Sequence, residues 1–91
     1  MNVIPTKDFD KSVKKLKDKV ARERLYELIA DLEDAKNLKE ISNVVPMTNY
    51  PFTYRITRGD FRLLVEYLMD GENIMLHEYV RRNEKTYKKY R

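Results

Sequence analysis

The sequence predicts a two-layer α+β fold in which two amino-terminal helices pack on one face of an antiparallel sheet. Two observations support this prediction. Apolar residues follow a helical spacing up to about residue 35, and they alternate with a period of two from residue 52 to 81, in runs separated by short turns. The chain has 91 residues, 42% of them hydrophobic, so we expect one domain that spans residues 1–91.

The first helix is expected to follow a short extended lead at residues 3–4 and to begin after Thr6, whose side chain can cap it. Its apolar positions lie at helical spacing: Phe9, Val13, Leu16 and Val20. The second helix is expected from about residue 18 or 19 to about Ala35. Its apolar stripe consists of Leu25, Leu28, Ile29 and Leu32. A stripe of this width is typical of a helix that packs on a core, so the two helices should form a hairpin against the sheet.

Proline and asparagine punctuate the connector at residues 43–51, where a loop and a short edge strand are both possible. Three alternating runs follow, at residues 52–57, 61–69 and 74–81, with Phe52 counted among the first. Turns are expected at residues 58–60 and 70–73, and a short amphipathic helix at residues 83–90. Residues that the alternation could bring together on the sheet face away from the helices are Arg55, Arg62, His77, Tyr79 and Arg81.

Composition excludes several classes of protein. The chain has no cysteine and a single histidine, so it offers no disulfide framework, no thiolate nucleophile and none of the usual zinc sites. We therefore expect no metal and no cofactor. The apolar runs are only a few residues long, far below the roughly 20 that cross a bilayer, and the first residues do not resemble a secretory signal. We expect a cytoplasmic protein that does not enter the membrane.

The net charge of +4 is unevenly distributed. Residues 1–24 carry a net charge of +4, residues 25–49 carry −3, and residues 50–91 carry +3. Within the last of these segments, the final eleven residues alone carry +5. Arginines that converge on one sheet face repel one another unless an anion lies nearby. Glu66 could neutralise one of them. The surplus, with Tyr79 and Tyr87 as aromatic partners, favours phosphates and stacked bases, that is, a nucleic acid.

Two stretches carry a family resemblance. Tyr54–Val65 combines an aromatic-basic strand, a glycine turn and an aromatic-Arg-Leu strand, and Val80–Lys88 combines a terminal arginine with a tyrosine some residues later. With the two helices and the length, this pattern resembles the RelE/ParE superfamily of toxins from type II toxin-antitoxin systems. The resemblance covers essentially the whole chain, although residues 1–50 match in pattern only.

The resemblance implies a curved sheet with a basic concave surface that binds mRNA in the ribosomal A site. It also implies cleavage by attack of the ribose 2′-hydroxyl on the adjacent phosphate, and a cognate antitoxin as partner. By position, Arg62 would hold and stabilise the pentavalent phosphate, Arg81 would contact the scissile phosphate or leaving oxygen, and Tyr87 would stack on or orient the substrate. Arg55 would bind the backbone or stabilise charge. Further cations expected to contact RNA are Arg58, Arg82, Lys85 and Lys88.

Thr57 stands where some RelE-like toxins have a lysine, so no general base is evident from the sequence. His77 is a candidate acid or base because an imidazole exchanges protons near neutral pH. Two other functions stay open. One is a ParE-like inhibitor of DNA gyrase. The other is a non-catalytic RNA-binding or interaction module on the same scaffold, which Thr57 favours.

Overall fold

The computed structural model describes residues 1–68 and 72–82. Its helices are α1 (Lys7–Lys14) and α2 (Lys19–Asp34), and its strands are β1 (Asn2–Pro5), β2 (Val44–Pro46), β3 (Thr53–Arg58), β4 (Phe61–Tyr67) and β5 (Asn73–Arg81). The five strands form one sheet in the order β1-β5-β4-β3-β2, and both helices pack on it. The predicted two-layer α+β fold is therefore confirmed. The predicted carboxy-terminal helix, with Tyr87, Lys85 and Lys88, lies outside the described residues.

The main core lies between the helices and the sheet. Leu25, Leu28 and Leu32 of α2 are at most 1% exposed. They pack against sheet residues that are also fully buried: Ile56, Leu63, Val65, Ile74 and Leu76. The predicted stripe of α2 is thus a core stripe, and burial of such side chains contributes roughly 1.5–3 kcal/mol each.

Side chains cap both helices. The Thr6 hydroxyl accepts a hydrogen bond from the backbone N–H of Phe9 (3.2 Å), and the Asp18 carboxylate accepts one from that of Ala21 (3.1 Å). The helix starts predicted at these residues are confirmed. Val20 was wrongly predicted on the stripe of the first helix: α1 ends at Lys14, and Val20 is 53% exposed. Asp18 caps a second helix there, so the apolar repeat of the first helix does not continue to Val20.

The sheet is mixed, because β1 pairs with β5 in parallel while the other three pairings are antiparallel. The prediction of a purely antiparallel sheet was therefore wrong at its first strand. An extended lead of four residues carries no local signal of its partner. Its pairing with Asn73–Leu76 is made only after the chain has passed through both helices and three other strands.

The connector before β3 contains the short edge strand β2, one of the two predicted alternatives. Phe52 is not part of a strand: β3 begins at Thr53, and Phe52 has φ = 66° with 48% of its surface exposed. The prediction that Phe52 belongs to the alternating run was wrong. A bulky residue at positive φ is strained, and here the loop preceding β3 bends back so that Met47 can pack on the sheet.

Candidate functional site

The sheet face turned away from the helices, called here the outer face, carries the predicted arginines of β3 and β4. Paired residues on neighbouring strands share a face, and the register sets two rows across β3, β4 and β5. The first row is Thr57, Arg62 and Val80, and the second is Arg55, Leu64 and Glu78. Arg55 and Arg62 therefore share this face, as predicted, and the register makes them diagonal neighbours.

A β-bulge at His77 changes which residues of β5 reach the outer face. Leu64 pairs with Glu78 but Val65 pairs with Leu76, so His77 is an extra residue on β5. The bulge reverses the alternation that follows it. Glu78 and Val80 consequently lie on the outer face, whereas residues 79 and 81 turn to the helix side. The predicted grouping of Tyr79 and Arg81 with the other two arginines was wrong for this reason.

Tyr79 is a core residue. Its side chain is 2% exposed, its ring stacks on Phe61 with centroids 4.9 Å apart, and its hydroxyl donates a 2.9 Å hydrogen bond to the carbonyl of Ala21. It cannot stack on a nucleic-acid base. Burial raises the pKa of the Tyr79 hydroxyl to about 12, with Arg24 lowering and Asp18 raising it to smaller extents.

Replacing Tyr79 by phenylalanine is expected to lower the free energy of unfolding by about 1 kcal/mol at pH 8, because the hydrogen bond to Ala21 is lost. Because the folded pKa is about 12 and the unfolded value is 10.0, the wild-type protein should lose stability as the pH rises from 10 towards 12. The advantage over the variant should therefore disappear near pH 11. Urea unfolding at both pH values measures this, and an equal alkaline loss in the two proteins would contradict it.

Arg81 lies against the helix side of the sheet. Its guanidinium carbon is 4.8 Å from the centroid of the Phe61 ring, and its Nη2 is 3.9 Å from the Asp18 carboxylate. Both side chains of the ion pair are largely solvated, so the pair contributes little to stability. Arg81 therefore does not share a face with Arg62 in this structure.

Two other predicted cations lie away from the outer face or at its end. Arg58 pairs with Phe61, which is in the main core, and its guanidinium donates to the carbonyls of Ser42 (3.0 Å) and Thr57 (2.8 Å). Arg58 therefore lies on the helix side of β3 and does not share a face with Arg62, and its predicted contact with RNA stays a prediction. Arg82 is exposed just after β5, and its N–H donates to the carbonyl of Asp60 at 2.9 Å.

The bulge also explains the partner of Glu66. Nε2 of His77 lies 3.0 Å from Oε1 of Glu66, and their side chains are 17% and 40% exposed. The sequence suggested that Glu66 could neutralise one arginine; in the structure its carboxylate contacts His77. Sequence reasoning missed Glu78, an 8% exposed carboxylate on the outer face. The sequence carried no signal of this, because only the structure shows that Leu76 and Tyr79 are both in the main core. They are three residues apart, a spacing that uninterrupted alternation does not allow on one face.

The centre of the outer face is apolar. Leu64 and Val80 form a small second core with Met47, and Tyr50 packs against it. Leu64 is fully buried. This cluster, which the sequence did not predict, holds the loop before β3 against the sheet and lies between Arg55 and Glu78.

A cavity of about 360 Å³ runs along the free side of β5, between the carboxy-terminal half of that strand and α1. Its charged lining residues are Asp8, Lys11, Lys15, Lys17, Asp18, Glu78 and Arg81. Four cations and three acids therefore meet beside the outer face. Within residues 1–68 and 72–82, no group of three or more acidic or histidine side chains is placed to hold a metal ion. None of the helices formed by these residues is long and apolar enough to cross a membrane.

The comparison with solved structures identifies the fold. No family model matches the sequence, and no curated protein does. Among solved structures, the RelE toxin of the RelB-RelE complex from Methanococcus jannaschii superposes with a TM-score of 0.79 at 20% identity, covering 97% of this chain and 99% of that one. RelE of the Pyrococcus horikoshii OT3 complex has a TM-score of 0.70 at 20% identity, covering 91% and 96% of the two chains. RelE of the E. coli RelBE complex has a TM-score of 0.70 at 14% identity, covering 91% and 98%. The chain has the fold of RelE toxins.

Proposed function

We propose that this protein is the toxin of a type II toxin-antitoxin system and that it cleaves mRNA on the ribosome. The observation that carries the proposal is the diagonal placement of Arg55 and Arg62 on the outer face of a RelE-like sheet. Diagonal neighbours across two strands are about 7–8 Å apart at their Cα atoms, a separation that long side chains can span. Two guanidinium groups in this arrangement can hold adjacent non-bridging oxygens of one phosphodiester.

In the proposed reaction, the ribose 2′-oxygen attacks the adjacent phosphorus and the bond from phosphorus to the 5′-oxygen breaks. The products are a 2′,3′-cyclic phosphate and a 5′-hydroxyl. Negative charge grows on the non-bridging oxygens in the transition state, where Arg62 stabilises it and Arg55 holds the backbone. Tyr87 is assigned the orientation of the substrate, and Arg82, Lys85 and Lys88 the binding of flanking phosphates.

Arg81 has a secondary part in this proposal. Because it contacts Phe61 and Asp18 on the helix side, we assign it to phosphates at the edge of β5, not to the scissile one. The position of Arg58 on the helix side of β3 removes it from the proposed RNA contacts. His77 stays a candidate for proton transfer, oriented by Glu66.

The proposal includes a cognate antitoxin. The last eleven residues carry +5, and the outer face adds Arg55 and Arg62. An acidic segment that folds on binding would relieve the repulsion among these cations and would block the mRNA site. The solved structures of the RelE chains from M. jannaschii, P. horikoshii OT3 and E. coli are complexes with RelB, which supports this partner.

One observation favours a non-catalytic interaction module as the second candidate. On the described part of the outer face, Glu66 and Glu78 accompany Arg55 and Arg62, so the acids equal the arginines in number. A balanced face does not require a polyanion. The Glu66–His77 contact accounts for one of these acids, and this leaves the arginines concentrated at the other end of the face.

Primer extension on a translated message, with and without ribosomes, tests the proposed function. Purified protein should produce cuts within codons at the A site only when ribosomes translate the message. Intact mRNA in cells whose growth has stopped would contradict the proposal. Broken DNA alongside that intact mRNA would instead indicate a gyrase inhibitor, and neither kind of damage would indicate the interaction module.

A further inference from the structure

The proposed reaction needs a group that accepts the proton of the 2′-hydroxyl, and the arginines cannot supply it because a guanidinium stays protonated. Thr57, which pairs with Arg62 on the outer face, offers no base either. The ring of His77 lies against Glu66, with 3.0 Å between Nε2 and Oε1. Glu66 lies four residues from Arg62 along β4, or about 13 Å at the usual rise of a strand, so neither side chain is placed beside the arginines. The base must therefore be sought closer to the two arginines.

The β-bulge at His77 places one carboxylate there. Glu78 pairs with Leu64, which pairs with Arg55, so the three residues form one row across the sheet. Arg62 pairs with Val80, two residues beyond Glu78, and is therefore a diagonal neighbour of Glu78 as well as of Arg55. A phosphodiester held by the two guanidinium groups would lie within reach of this carboxylate.

We infer that Glu78 is the general base of the proposed cleavage; the inference rests on the proposed function. The Glu78 carboxylate accepts the proton of the 2′-hydroxyl while the 2′-oxygen forms its bond to phosphorus. The bond to the 5′-oxygen breaks, and that oxygen takes a proton from water. The hydroxide so formed removes the proton from Glu78, which restores the carboxylate.

Glu78 has access to substrate from the side of the sheet. Although it is only 8% exposed, it lines the cavity of about 360 Å³ along β5. Lys11, Lys15 and Lys17 line the same cavity and attract the phosphate backbone towards it. A base that is largely shielded from bulk water and lines the cavity is suited to proton transfer within a bound complex.

A purely electrostatic role is the competing explanation, since a carboxylate beside Arg62 could serve only to orient it. The two roles differ in what the charge-neutral variant loses. Loss of a base lowers the cleavage rate whether or not Arg62 is present. Loss of an orienting charge lowers the rate only through Arg62, so it has no further effect in an Arg62→Ala protein.

The test compares wild type, Glu78→Gln, Glu78→Asp, Arg62→Ala and the Arg62→Ala variants that also carry Glu78→Gln or Glu78→Asp, in single-turnover cleavage of a translated message at saturating protein. Ribosome binding is measured by co-sedimentation. Glu27→Gln, on the exposed side of α2, is the matched control and should behave as wild type. Glu78→Gln should bind ribosomes normally but cleave at least 100-fold more slowly, and it should slow the Arg62→Ala protein further. Glu78→Asp keeps a carboxylate and should retain an intermediate rate.

Each other outcome is decisive. A Glu78→Gln substitution that leaves the saturating rate unchanged, that weakens binding alone, or that does not slow the Arg62→Ala protein overturns the inference and leaves the proposed function intact. Wild-type protein that cuts no message overturns both. If Glu78→Gln does not fold, Glu78→Asp decides: a lowered rate with and without Arg62 is expected of a base, and an unchanged rate in the Arg62→Ala protein is expected of an orienting charge.

Discussion

Replacing Arg62 by alanine is expected to lower the rate of mRNA cleavage at saturating ribosomes by about 10²–10³-fold, as removal of one preorganised donor to a developing anion does elsewhere. Arg62 lies on β4, the central strand of the sheet, between Thr57 and Val80. Its position is therefore held by pairing on both sides. Among the residues that the structure describes, Arg55 is the other arginine of the outer face that is close enough to replace it. Primer extension in a purified translation system measures the rate.

Arg58→Ala is the matched control, because Arg58 lies on the neighbouring strand but on the helix side of the sheet. We expect it to leave the cleavage rate within about twofold of wild type and to lower stability by about 1 kcal/mol at most, since its guanidinium makes two hydrogen bonds to carbonyls. Arg62→Lys keeps the charge but not the two-pronged donor, and should recover only part of the rate. Equal losses in Arg62→Ala and Arg58→Ala would contradict the assignment of the outer face as the site.

Replacing Leu64 by alanine is expected to lower the free energy of unfolding by about 2–5 kcal/mol, the usual range for a buried leucine. Leu64 is fully buried although it lies on the face away from the helices, because Met47 and Val80 cover it. Truncation leaves a cavity there and releases the loop before β3. Urea or thermal unfolding monitored by circular dichroism measures the loss.

The same substitution should also disturb the geometry of the proposed site, because Leu64 lies between Arg55 and Glu78 in their row. Val45→Ala is its control: Val45 pairs with Arg55 in the same row but is 41% exposed, so its truncation should cost less than about 1 kcal/mol. A Leu64→Ala protein as stable as the Val45→Ala protein would show that the cluster on the outer face is not a second core.

The helices and the layer order were predictable because their signals are local. Thr6 and Asp18 cap helices with hydrogen bonds to residues three positions ahead, and the α2 stripe repeats every three to four residues. The turn between β3 and β4 was predictable for a similar reason. Gly59 has φ = 58°, a conformation that glycine adopts without strain.

The candidate site was predictable only in part. Arg55 and Arg62 were correctly placed because β3 and β4 pair without interruption from Thr53 to Glu66. The positions of Tyr79, Arg81 and Glu78 were wrong or missed because one residue, His77, is inserted in the pairing of β5. The alternation continues on both sides of such a bulge, so the sequence predicts which residues share a face within each half of the strand. It does not predict that the second half is turned over relative to the first.

The sequence by itself determined that this chain forms two helices on a sheet and that cations accumulate in its last third, since periodicity, caps and charge are properties of neighbouring residues. Only the tertiary structure decided that β1 joins β5, that Met47 covers Leu64, and that Glu78 instead of Tyr79 shares the outer face with Arg62. These features depend on contacts between residues far apart in the chain. The burial of Tyr79 against Phe61 and Ala21 favours the register with the bulge, and that register sets the chemistry of the outer face.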